Sequence, residues 1–210
     1  MVDVYASEEE QVAAIKKWWK ENGTSVILGI VIGSATLFGW RAWQGQITAK
    51  GEQASLIYSQ LEEQLLGDKS EEAATTAKQL MQEYKGTPYA SFAALKLAKV
   101  AVEAKDADGA STYLRWTIEN GNPKELVQAA TMRLARLDLS SENVDSAWAL
   151  INTIEDTSIL ASYHELKGDI LLAQGKQDEA KSAYLQATAL NPAGSGSNAF
   201  LEMKMDDLGR

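Results

Sequence analysis

Hydrophobic and polar positions along the chain fall into two regimes. From Asn22 to Trp40 the run NGTSVILGIVIGSATLFGW contains no charged residue. Beyond it, apolar residues recur every third or fourth position in segments of roughly 12 to 17 residues, and no stretch alternates apolar and polar as a half-buried strand does. Short polar or glycine- and proline-bearing breaks separate the segments: Gly67-Asp68-Lys69-Ser70, Gly86-Thr87-Pro88, Lys105-Asp106-Ala107-Asp108, Gly121-Asn122-Pro123, Ser140-Ser141-Glu142-Asn143, Asp156-Thr157-Ser158, Gly175-Lys176-Gln177-Asp178 and Asn191-Pro192-Ala193-Gly194. Each has the composition of a tight helix connector. The pattern predicts an all-α chain in three parts. Residues 1–21 form a tail with a short amphipathic helix, 22–43 a single transmembrane helix, and 44–210 a soluble domain of helix pairs.

Nineteen uncharged residues at a helical rise span roughly 28 Å, enough to cross a hydrocarbon core. Trp18 and Trp19 precede the run, and Trp40 and Trp43 close it. Paired indoles at both ends suit the two headgroup layers, where an amphipathic ring is best placed. A cleaved signal peptide fits less well, because the preceding tail is long and mixed in charge and no clear small-residue cleavage site follows. A buried core helix or a re-entrant hairpin is also disfavoured by the length and the Trp borders. Ser25, Gly29 and Gly33 lie four apart, as do Ala35 and Gly39. Such spacing lets a second helix approach closely, although glycine is also common in membrane helices for no such reason. In the tail, Ser7 and Glu10 have capping-box spacing, Val12, Ile15, Trp18 and Trp19 share one side, and Asn22-Gly23 reads as a stop.

The clearest unit of the soluble domain is HELKGDILLAQGKQDEAKSAYLQATALNP, residues 164–192. Gly168 is followed by Ala180, Tyr184, Ala187 and Pro192, with Gly175 in the turn. This resembles a tetratricopeptide repeat: small residues let two helices cross closely, the tyrosine fills the gap to the next unit, and proline ends the second helix. Lys167 and Leu171 depart from the family pattern, which has leucine and tyrosine there. The same twelve-residue spacing recurs between Ala135 and Ala147 and between Ala98 and Ala110. Successive units are then 37 residues (98 to 135) and 33 residues (135 to 168) apart, close to the repeat period. A further pair is expected within residues 46–85. The fold class is therefore an N-terminal transmembrane helix followed by a tetratricopeptide-repeat-like α-solenoid of about four helix pairs. The segment SNAFLEMKMDDL, opened by Ser197, is expected to cap the stack, whose last apolar face needs cover.

Solenoids of this kind work through the concave face lined by the first helix of each pair. The alignment turns Lys99, Arg136 and Asp169 inward. One turn along lie Val102, Leu139 and Leu172; one turn back lie Leu95, Met132 and Glu165, and before them Phe92. Such a face could hold an extended or helical peptide. Alternatively, the first or last helix of the same domain covers it, since long exposed apolar patches are unusual.

Composition narrows the chemistry. With no cysteine, disulfides, thiolate metal sites and cysteine nucleophiles are excluded. His164 is the only histidine, so His164-Glu165 lacks the second histidine of a zincin motif. Gly194-Ser195-Gly196 follows no strand and precedes no P-loop lysine. Carboxylates are spread along helix faces, and no enzyme signature, metal site or cofactor motif is found. The net charge is −9, of which residues 44–210 carry −8. An acidic domain repels nucleic acid and anionic lipid heads, so nucleic acid is not an expected partner. Lys16, Lys17 and Lys20 precede the apolar run and Arg41 and Lys50 follow it, a weak bias for an N-terminus inside.

The segment QVAAIKKWWKENGTSVILGIVIGSATLFGWRAWQ resembles the N-terminus of the YfgM family of bacterial inner-membrane proteins. The shared features are an acidic opening, an aromatic pair followed by E-N-G, a glycine-containing span and a closing G-W-R-x-W. The repeat region is similar too, including RLARL at 133–137 and LEMKMDDL at 201–208. The resemblance implies a single-pass anchor with a cytoplasmic N-terminus and a periplasmic repeat domain. It also implies an ancillary role at the SecYEG translocon beside PpiD, a membrane-anchored chaperone of the prolyl-isomerase type, assisting secreted client polypeptides. It supplies no catalytic residue.

Overall fold

The computed structural model describes residues 8–155, 160–192 and 194–208. Among these residues there are nine helices and no strand. They are α1 Glu8–Leu66, α2 Ser70–Glu83, α3 Pro88–Glu103, α4 Ala107–Asn120, α5 Lys124–Ser140, α6 Val144–Ile151, α7 Ala161–Ala173, α8 Gln177–Leu190 and α9 Gly196–Asp207. The chain divides into two compact units, residues 1–50 and 51–210.

In the first unit every described residue is helical. Ile27, Leu28, Ile30, Val31, Ile32, Leu37 and Phe38 are all exposed, so the apolar surface runs around the helix rather than along one stripe. A helix apolar on every side needs an apolar surrounding, and α1 is long and apolar enough to cross a membrane. Two of its hydroxyls are satisfied internally: Thr36 Oγ1 donates to the Ile32 carbonyl at 2.9 Å and Thr48 Oγ1 to the Gln44 carbonyl at 3.1 Å. The Trp18–Trp19 and Trp40–Trp43 rings pair at 6.4 and 5.2 Å between centroids.

The expected stop at Asn22-Gly23 is not used. The helix continues through it and on past Trp43 without a break. Asn22 Nδ2 donates to the Trp18 carbonyl at 3.0 Å, an acceptor one turn back on the same helix. A Cβ on Gly23 would lie 3.2 Å from the Trp19 indole, so glycine makes room for the ring instead of ending the helix. Breaking the helix beside an apolar span would also leave backbone groups without partners. The capping box expected at Ser7 and Glu10 rests on Ser7, which lies outside the described residues, as do Asp156, Thr157 and Ser158 of one connector and Ala193 of another.

The second unit is a stack of helix pairs. From Gly51 on, α1 belongs to it and packs with α2; α3 pairs with α4, α5 with α6 and α7 with α8, and α9 closes the end. Ala98, Ala110, Ala135, Ala147, Gly168 and Ala180 are all buried. Tyr184 and Ala187 are fully buried beside Ala180 and Ala183, and Leu201 of α9 completes that cluster. Pro192 follows the end of α8, where the Asn191 backbone turns extended. The first pair keeps the spacing but not the small first residue: Leu61 stands where the later units have alanine or glycine, and twelve residues on comes Ala73. Connectors repeat as well. Asp68, Lys105, Glu142 and Gly175 each hold a left-handed backbone between the two helices of a pair, at the repeat spacing (68, 105, 142, 175). Only the last is glycine, the residue that takes this conformation without steric cost.

The core is a chain of local clusters. Ala54, Leu61, Ala77 and Leu80 meet Ala93, Ala94 and Leu97. Leu95, Ala98 and Leu114 meet Ala130 and Leu134. Met132, Ala135, Ala147 and Ile151 meet Tyr163, Leu166 and Ile170. Tyr113, Leu150 and Trp148 each touch two clusters and join them.

Gly168 has no room for a side chain, since an added Cβ would lie 2.5 Å from Tyr184 Cδ1. Gly168→Ala is expected to destabilise the repeat domain by about 1–3 kcal/mol, the usual cost of overpacking a filled core. A thermal melt of the full chain in detergent, followed by circular dichroism, reads this out; an unchanged midpoint would show that the crossing can widen freely.

Candidate functional site

A groove of about 610 Å³ lies in the second unit, between α3 and α5. Phe92, Leu95, Lys96, Ala98, Lys99 and Val102 form one wall and Leu126, Ala129, Arg133, Arg136, Leu137 and Ser140 the other. Tyr58 of α1 and Leu114 of α4 complete the lining. The two walls are held together away from the groove. Ser91 Oγ donates to the Asn122 carbonyl at 3.2 Å and accepts from the Asn122 backbone N–H at 3.0 Å. Asn122 Nδ2 donates to the Gly86 carbonyl at 3.0 Å. The connector leading into α5 is therefore pinned to the start of α3.

One part of the lining is aromatic. The Tyr58 ring lies 5.8 Å from Phe92 and 5.7 Å from Tyr89. Tyr58 donates to Glu62 Oε1 at 3.2 Å, and Lys96 Nζ reaches the same oxygen at 2.6 Å. Burial, with the Glu62 charge adding to it, pushes the Tyr58 phenol up to about 12. The hydrogen bond from Lys96 holds the Glu62 carboxyl below its ordinary value. The remaining basic groups are Lys99, loosely paired with Glu103 at 3.6 Å, Arg133, and Arg136, whose Nη2 donates to the Ser162 carbonyl at 3.3 Å. Neither arginine pairs with a carboxylate among the described residues.

The structure divides the residues expected on the concave face. Phe92, Leu95, Lys99, Val102 and Arg136 come together in the groove. Met132 does not: it is buried in the cluster with Ala135, Ile151 and Tyr163, and Leu139 packs against that cluster. Successive helical residues are about 100° apart, so the step from Met132 to Arg133 separates the core from the groove. Leu126, Ala129, Arg133, Leu137 and Ser140 recur every third or fourth residue, a stripe legible in the sequence but passed over by aligning all units at one position. Asp169 is also placed elsewhere. It accepts from Tyr184 Oη at 2.7 Å and from Lys204 Nζ of α9 at 2.7 Å, and the same Nζ is 3.1 Å from Glu165. Thus α9 covers the inward positions of the last pair, leaving Leu172 half-exposed at its edge. The groove at α3 and α5 stays open. Burial and the Asp169 hydrogen bond push the Tyr184 phenol well above its ordinary value.

Ser25, Gly29 and Gly33 are remote from this site in the chain, within the apolar run. A Cβ on Gly29 or Gly33 would meet nothing within 4 Å. His164 stacks edge-on against Tyr163 at 5.3 Å, and among the described residues no three His, Cys, Asp or Glu side chains cluster as metal ligands.

A family model described as a tetratricopeptide repeat-like domain matches residues 16–210. A curated relative from Haemophilus influenzae, named ancillary SecYEG translocon subunit, is 33% identical over 87% of this chain and 90% of its own length. The chain belongs to the YfgM family. Relatives of the same name from Aggregatibacter actinomycetemcomitans and Escherichia coli K12 are 31% and 27% identical, over 96% and 99% of this chain and 97% and 99% of their own. Similarity thus runs through the apolar run and all the repeat pairs of this YfgM-family chain, which fits a membrane location.

Two outcomes follow from the charges. Lys204→Met leaves Glu165 and Asp169 facing each other without their shared cation. It is expected to cost about 1–3 kcal/mol and to speed amide exchange in α9 and α7 while α3 and α4 stay protected; uniform exchange would contradict a local cap. The Glu62 pKa is lower in the folded chain than in the unfolded one, so its contribution is present above about pH 4.5 and is lost as the pH falls through the folded value. Glu62→Gln is expected to lower stability at pH 7 by at most about 1 kcal/mol, because the pair is substantially exposed. The difference from the parent chain should shrink in melts taken at progressively lower pH.

Proposed function

We propose that this chain is a non-enzymatic ancillary subunit of the Sec translocon, a protein-interaction module that assists secreted polypeptides at the periplasmic side of a bacterial inner membrane. The observation that carries the reading is the near-full-length similarity to curated ancillary SecYEG translocon subunits. The architecture supports it: one apolar helix suited to anchoring precedes a repeat domain with an open groove. The groove lining is apolar and cationic, a chemistry suited to holding polypeptide. In this reading residues 1–21 are cytoplasmic, the repeats are periplasmic, and the partners are SecYEG, the membrane-anchored chaperone PpiD and unfolded clients. The lysines before the apolar run support that direction. Ser25, Gly29 and Gly33 form a smooth, open face for a partner helix within the membrane.

Photo-crosslinkers placed over the repeat domain and at Gly29 are expected to give adducts with translocon or PpiD subunits in native membranes. If probes spread over the whole domain yield no such adduct, the reading fails. A periplasm-dependent reporter fused after Arg210 is expected to be active. An inactive one, with a cytosol-dependent reporter active instead, would make the chain a cytosol-facing adaptor.

A further inference from the structure

The charge of the groove is opposite to that of the domain around it. Residues 44–210 carry a net −8, yet the groove lining includes Lys96, Lys99, Arg133 and Arg136 and not one carboxylate. Lys96 is balanced by Glu62 and Lys99 is loosely satisfied by Glu103. Among the described residues neither Arg133 nor Arg136 pairs with a carboxylate, and the rest of their wall is Leu126, Ala129, Leu137 and Ser140. Both arginines are exposed, so neither is needed to fill the core. Two arginines with no carboxylate partner among the described residues, beside two paired lysines on an acidic domain, form a local positive potential that attracts carboxylates and repels lysine-rich chains.

The apolar part selects as well. Phe92 and Val102 are exposed at the rim, while Leu95, Ala98 and Leu114 form a buried floor. A concave slot between two helices admits one extended strand or one helix, whereas a flat folded surface reaches only its rim.

We propose that this groove binds a non-native polypeptide segment in which apolar side chains alternate with carboxylates, the apolar groups lying between α3 and α5 and the carboxylates on Arg133 and Arg136. The proposal deepens the reading of the repeat domain as a module for secreted chains. It specifies where the domain holds them and which composition it prefers: acidic and apolar segments are retained, and basic ones are rejected.

The test uses the full chain in nonionic detergent micelles and three fluorescein-labelled peptides. The peptides share the same leucine and phenylalanine positions and carry glutamate, glutamine or lysine between them. Anisotropy, corrected for binding to empty micelles, is expected to rank them glutamate, glutamine, lysine, with about tenfold between first and last. Higher salt should narrow that ratio by screening the exposed charges. Arg133→Glu with Arg136→Glu is expected to reverse the order with an unchanged circular dichroism spectrum. Phe92→Asp is expected to weaken all three peptides. A benzophenone-bearing glutamate peptide should crosslink to α3 and α5. Equal affinity for the three peptides, an order unmoved by the arginine reversal, no peptide binding, adducts elsewhere, or crosslinked copies of the chain in place of peptide adducts would each overturn the proposal. The assay contains no translocon, so its failure leaves adducts in native membranes intact, and absence of those adducts leaves peptide binding intact.

Discussion

Two helices in a hairpin bury a common face only if their axes come close, and closeness requires small side chains where they cross. In this chain the small residues at the repeat spacing, Ala98, Ala110, Ala135, Ala147, Gly168 and Ala180, are all buried. At Gly168 even a methyl group has no room, because the Tyr184 ring lies directly over it. Every other feature of the repeat domain depends on these approaches. They bring Leu97, Leu134 and Tyr184 into successive local clusters, and they set α3 and α5 side by side as walls of a groove. Only the first pair departs from the rule. It has Leu61 at the first crossing position, and Ala73 with Ala77 on the second helix leave the space that Leu61 fills.

A stack built this way has two ends, and each pair exposes its apolar face unless a neighbour covers it. At the C-terminal end α9 supplies cover by two means. Leu201 enters the cluster around Tyr184, and Lys204 spans Glu165 and Asp169. Lys204 also sits over the Phe200 ring at 4.7 Å, so one side chain joins apolar and ionic contacts. Covering the last pair removes its inward face from use. The open surface lies earlier, where among the described residues no helix covers the groove between α3 and α5 and neither arginine pairs with a carboxylate.

Much of this was legible in the chain itself. The connectors, the small-residue pairs, Tyr184 as filler, and an apolar run with paired tryptophans at its borders all depend on residues within a turn or two of one another. Asn22-Gly23 misled because the same dipeptide ends a helix in water and passes unnoticed where the helix must continue through an apolar region. Its actual use, a flat seat for the Trp19 ring and a side-chain bond to the Trp18 carbonyl, shows no sequence mark that separates it from a stop.

The chain alone determines that helices pair and about how many pairs form, because helix propensity, connector chemistry and side-chain volume act over short distances. Which stripe of each first helix faces the groove was decided only by tertiary packing. Met132 and Arg133 are neighbours in sequence, but the angle at which α5 lies against α3 and α7 sends one into the core and the other into the groove. That angle is set by side chains on three helices at once. The same holds for Asp169, whose inward position is taken by a lysine 35 residues away. Relations between distant helices become definite only when the whole stack closes.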